Sequence, residues 1–154
     1  MLKIVPKKLD IKRLLDAMCK VEVNIDPERG EGKTLALFYL MLTEIIHHDH
    51  NTYHAYISHN MMAAALGARD FGDFLTDHHE EFVAEGHTRI IIPETKQTFQ
   101  FLSRDQFIDP VFIQGRRIKK AFNDAAQHHL TGQQWKHWLY AVLLLQSQGG
   151  KLIG

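Results

Sequence analysis

Cysteine is all but missing from this chain: Cys19 is the one thiol in 154 residues. A lone cysteine excludes an internal disulfide framework and fits a reducing compartment. An excess of one charge is missing too. Eighteen Lys and Arg balance eighteen Asp and Glu, for a formal net charge of zero, which by itself is no nucleic-acid signature. There is no basic start leading into a short apolar run, so no secretory signal is expected. The longest apolar helix expected, at 35–46, carries Thr43 and Glu44 and is too short to span a bilayer. Internal repeats and low-complexity stretches are absent as well. Together these absences predict a soluble, cytoplasmic protein.

What remains is a chain rich in core material. Apolar residues make up 45%, with nine Phe and two Trp, enough to fold rather than stay disordered. One domain spanning 1–154 is the expectation for this length. Charge is distributed unevenly. Residues 1–20 hold Lys3, Lys7, Lys8, Lys12, Arg13 and Lys20 against Asp10 and Asp16, and 111–120 hold Arg116, Arg117, Lys119 and Lys120 without an acid. Residues 58–86 reverse the sign, with Arg69 against Asp70, Asp73, Asp77, Glu80, Glu81 and Glu85. Such a patchwork suggests oriented association with a partner.

Periodicity supplies the elements. Asp10 suits the N-cap of a helix at 11–20, with Ile11, Leu14, Leu15 and Met18 on its apolar side. Residues 21–25 read as a short strand or connector, and Asp26-Pro27-Glu28-Arg29-Gly30 as turn chemistry. A helix from Lys33 to about residue 48 is apolar on nearly every side, which predicts burial on more than one face. Residues 53–57 alternate weakly and could be a short strand.

Ser58 can cap a helix carrying Met61, Met62, Ala65 and Leu66. Gly67 reads as its end. A second helix presents Phe71, Phe74, Leu75, His78 and Phe82 at helical spacing and closes at Gly86. The period then changes to two. Arg89-Ile90-Ile91-Ile92 and Thr98-Phe99-Gln100-Phe101-Leu102 flank the turn Pro93-Glu94-Thr95-Lys96, which predicts a β-hairpin. Pro110 fits the first turn of a further helix running to about residue 130. Thr131 can cap a last one with Trp135, Trp138, Leu139, Val142, Leu143 and Leu144, ended by Gly149-Gly150.

The stretch 58–103 therefore resembles the winged helix-turn-helix superfamily: Ala63 or Ala64 at a helix crossing, Gly67 in the turn, Glu85-Gly86 after the second helix, then a hairpin wing. The resemblance implies a mainly α fold with a small antiparallel β-hairpin, a winged helix-turn-helix-like core framed by helices from 1–48 and 110–148. It further implies a regulatory or accessory protein that binds double-stranded DNA as a homodimer, without catalysis. Arg69 stands where such helices touch bases, with Thr76 on the outward side. Arg89 and Lys96 lie on the wing, and Arg116, Arg117, Lys119 and Lys120 would meet phosphates. The acidity of the second helix supports a different reading, a protein-interaction module offering Asp73, Asp77, Glu80 and Glu81 to a basic partner.

Three constellations invite chemistry. Gly30-Glu31-Gly32-Lys33-Thr34 before an apolar helix has the ending of a phosphate-binding loop. However, the full spacing asks for Gly where Pro27 stands, and no second hydrophobic strand ending in Asp is evident to hold magnesium. A turn and helix start is the expectation, and no cofactor. His50 and His54 share an i, i+4 spacing that suits zinc on a helix; across a predicted loop, solvated histidines are expected instead. Cys19 has no obligatory His partner, and the adjacency of Ser58 and His59 is not a nucleophile–base geometry.

Overall fold

The computed structural model describes residues 32–47, 50–109, 116–125 and 131–154. The expected helix at 11–20, the connector at 21–25, the turn at 26–30, the start of the helix at 110–115 and its end at 126–130 lie outside these residues, as does Cys19. Helix α1 (Lys33–Ile46) begins after Gly32, whose φ of 85° is left-handed and whose place therefore favours glycine. Strand β1 (Tyr53–Ser58) follows, then α2 (Met61–Asp77), the short β2 (Val83–Glu85), β3 (Arg89–Ile92), β4 (Gln97–Ser103) and the single-turn α3 (Arg104–Phe107). The chain continues through β5 (Ile118–Asn123), α4 (Gly132–Ser147) and β6 (Lys151–Ile153).

The six strands among the described residues join one sheet in the order β2-β3-β4-β1-β5-β6. Strands β4, β1, β5 and β6 run parallel, while β2 and β3 add an antiparallel margin. This overturns the mainly α winged-helix expectation: the molecule is a mixed α/β fold. The hairpin at 89–102 does form, with Ile90 opposite Phe99 and Ile91 opposite Thr98, but it is part of the larger sheet rather than a wing.

The two helices expected on either side of Gly67 are one continuous α2. Its N-cap is Asn60, whose side chain accepts the Ala63 N–H at 2.8 Å, and Ser58 ends β1 instead. Gly67 sits mid-helix over the aromatic layer, where a Cβ would be in ordinary van der Waals contact, 3.4 Å from the rings of Tyr56 and Phe101.

Side chains of successive strand residues leave on opposite faces, so the sheet carries two cores. His54 and Tyr56 of β1 face α1 and α2; Ala55 and Ile57 face α3 and α4. On the first face Phe38, Phe71, Phe74, Phe99, Phe101 and Phe122 interlock, with Phe38–Phe71 centroids 5.2 Å apart and Phe71–Phe99 5.5 Å. Burying each such ring stabilises the fold by roughly 1.5–3 kcal/mol. On the second, Phe107 of α3 lies 5.4 Å from Trp138 of α4, over Leu102, Ile118 and Ala121. Thr131 caps α4 as its sequence suggests, in a reciprocal box with Gln134. None of the described helices is long and apolar enough to cross a membrane.

Candidate functional site

The connections around β1 and β5 diverge. From β1 the chain goes through α2, on one face, to β4; from β5 it goes through α4, on the other face, to β6. Parallel α/β sheets form a crevice where connections part in this way, outside the carboxyl ends of the strands. In this chain the crevice is bounded by Ser58 of β1 and by Asn123 and Asp124 of β5. The Asp124 N–H donates to the Ile57 carbonyl at 2.9 Å and holds the two strand ends together.

Helix α1 brings its amino end to the same place. The Thr34 hydroxyl donates to Asp124 Oδ2 at 2.6 Å, and the Tyr56 hydroxyl donates to that same oxygen. Lys33 is close by: a Cβ at Gly154, just past β6, would stand 3.4 Å from Lys33 Cε and 2.5 Å from the Asn123 carbonyl. Gly154 has φ +106°, so this close approach also favours glycine.

Asn123 is fully buried. Its Oδ1 accepts the Ala125 N–H at 3.1 Å, and its Nδ2 has no hydrogen-bond partner among the described residues. Burial, and the negative charge of Asp124 beside it, push the Tyr56 phenol well above its ordinary range, so Tyr56 stays a proton donor at any physiological pH. The first N–H groups of α1 have no acceptor within their helix, and the N-cap residue, Gly32, has no side chain to cap them. Their dipole favours an anion at this end. No protein-family model and no curated protein matches this sequence.

The site thus joins Lys33, Thr34, Tyr56, Asn123 and Asp124. Only Lys33 and Thr34 stood out in the sequence. The missing part was the buried strand leading to an acid, and β5 with Asp124 supplies it. The signal was there in Ile118, Ala121 and Phe122, which are fully buried, but two adjacent lysines masked it.

Residues expected at a DNA surface are scattered. Arg69 is exposed on α2 beside Asp70, and the Thr76 hydroxyl donates to the Gly72 carbonyl within its own helix. Arg89 at the start of β3 binds Glu85 and Gln100. Lys96 occupies the β3–β4 turn with φ 56°. Arg116 and Arg117 are exposed ahead of β5. Lys119 and Lys120 are both ion-paired to the buried Glu44 of α1, Lys119 at 3.8 Å, so one carboxylate offsets part of their charge.

Of the acidic set, Asp73 and Asp77 are exposed on α2, and Glu80 and Glu81 lie in the loop beyond it. Arg69, Asp73 and Arg89 do come together, along an apolar groove of about 550 Å³ between α2 and the β2–β3 margin. The two histidines part company. His50 is exposed in a turn, whereas His54 is buried in β1, stacked 5.0 Å from Phe99 with Nε2 3.1 Å from the Thr52 hydroxyl. Among the described residues no group of three or more His, Cys, Asp or Glu could hold a metal ion.

Proposed function

We propose that the chain is a nucleotide-binding α/β unit. The phosphates of a nucleoside triphosphate lie at the amino end of α1, with a divalent cation beside Thr34 and Asp124. The observation that carries this reading is the 2.6 Å hydrogen bond from Thr34 to Asp124. It ties the last residue of Gly30-Glu31-Gly32-Lys33-Thr34 to an acid that directly follows a buried parallel strand. Phosphate-binding loops need this combination: glycine-permitted backbone donors, a lysine, a hydroxyl for the cation and a strand-end Asp.

The donor set fits magnesium. It is a hard cation that takes oxygen ligands and is held by one or two carboxylates together with substrate phosphates. A bound cation would neutralise charge developing on the phosphates. Lys33 adds a fixed positive charge at the helix end, and the α1 dipole adds a partial one. Pro27, where the usual spacing has glycine, lies outside the described residues; Gly32, Lys33 and Thr34 are the part of the loop pattern that the structure describes.

The DNA-binding regulator expected from the sequence drew its support from a winged-helix arrangement that the fold does not have. The protein-adaptor reading keeps its exposed acids, but no docking geometry favours it.

Titration with a fluorescent nucleoside triphosphate, with and without Mg2+, tests the proposal. Saturable binding is expected, strengthened by Mg2+ and weakened at least tenfold by Lys33→Ala. Thr34→Val and Asp124→Asn should each abolish the Mg2+ dependence. Absence of saturable binding, or binding indifferent to all three substitutions, overturns it.

A further inference from the structure

Tyr56 is an unusual neighbour for a cation-binding acid. It lies in the middle of the sheet, almost wholly buried, its ring 4.8 Å from Phe101 and 5.9 Å from Phe38. A phenylalanine would fill that aromatic box equally well. The hydroxyl is the one part of the side chain that packing does not explain, and it donates to Asp124 Oδ2.

Thr34 donates to the same oxygen, whereas Oδ1 of Asp124 accepts no hydrogen bond from any described residue. Two donors on one carboxylate oxygen fix the rotation of the group and leave the other oxygen to a ligand. A carboxylate held by Thr34 alone would be free to turn about that single hydrogen bond.

We infer that Tyr56 is a positioning residue for the cation site, holding Oδ2 of Asp124 so that Oδ1 is presented to the metal that accompanies the nucleotide. This rests on the nucleotide-binding reading above and adds a residue to its machinery. Tyr56 touches neither nucleotide nor metal; it acts through Asp124.

The experiment is a Mg2+ titration of nucleotide binding in wild type, Tyr56→Phe, Asp124→Asn and the double variant, with nucleotide binding in EDTA measured alongside. Loss of one hydrogen bond to a charged acceptor predicts that Tyr56→Phe raises the half-saturating Mg2+ concentration by about tenfold. Binding in EDTA should stay unchanged, and Tyr56→Phe should add nothing in the Asp124→Asn background. A purely structural role would move the EDTA value as well.

An unchanged Mg2+ dependence in Tyr56→Phe, or an equal effect with and without Asp124, overturns the inference while leaving the nucleotide reading standing. A wild type that binds no nucleotide overturns the reading itself. If Tyr56→Phe alone does not fold, the same four titrations in a Gly67→Ala background decide the question, with Gly67→Ala alone as reference.

Discussion

His54 shows how far one side chain's environment departs from what its neighbours in sequence suggest. It is fully buried, between Phe99 and Phe122, with Glu44 and Lys120 close enough to act on its charge. Burial is the largest influence and pulls its pKa from 6.5 to about 4; Glu44 opposes that shift and Lys120 adds to it. Folded His54 is therefore neutral where the unfolded chain's histidine already binds a proton. The unfolded state takes up more protons as pH falls from 6.5 to about 4, so stability is lost across that window. A shift of this size corresponds to about 3 kcal/mol. Urea unfolding at pH 7 and pH 4 should show this loss in wild type, and His54→Leu should remove most of the difference. An equal pH dependence in the variant would place the acid sensitivity elsewhere.

At the scale of elements, the helices that the sequence delimits well are those with local chemistry at their ends. Gly32 before α1 and Thr131 before α4 mark true starts, and the 89–102 hairpin follows from its alternation and turn. Strand β1 was harder to see because a central parallel strand buries both faces. His54 through Ser58 are all buried, so alternation fades. Strand β5 read as a helix because Lys119 and Lys120 imply a solvated side. They are paired with Glu44, distant in sequence, and no local pattern contains that contact. Asp124, the acid on which the proposed cation site depends, was lost with it.

Gly67 misled for the opposite reason. It has the chemistry of a helix stop, yet tertiary packing carries the helix through it. Two substitutions in α2 check this account. Gly67→Ala adds a Cβ at ordinary contact distance from Tyr56 and Phe101 and should raise stability by roughly 0.5–1 kcal/mol. Gly72→Ala offers the same helix gain, but its Cβ would stand 3.0 Å from the tip of the Phe82 ring, so it should stabilise less. Thermal unfolding of the two variants measures the difference, and equal gains would contradict it.

For the whole molecule, α1 is fastened to β5 at both ends: Thr34 to Asp124 at the crevice, Glu44 to Lys120 at the far side of the sheet. Ten helical residues rise about 15 Å, and the four strand residues from Lys120 to Asp124 span about 13 Å, so the two ties match in length. A helix held this way keeps its amino end in register with the strand end even when nothing is bound. Breaking the far tie should therefore cost stability more than ligand geometry. Lys120→Met leaves Glu44 buried with Lys119 at 3.8 Å as its remaining partner, and should destabilise by less than about 3 kcal/mol, the low end for a buried charge left with no partner. Replacing Glu44 by Leu as well removes that charge, and the double variant should recover much of the loss. Arg117→Ala, at an exposed position just upstream, should change stability by less than about 0.5 kcal/mol. Urea unfolding ranks all three. If the double variant is no more stable than Lys120→Met alone, Glu44 is not the strained partner, and the packing of α1 on the sheet, rather than this pair, sets its position.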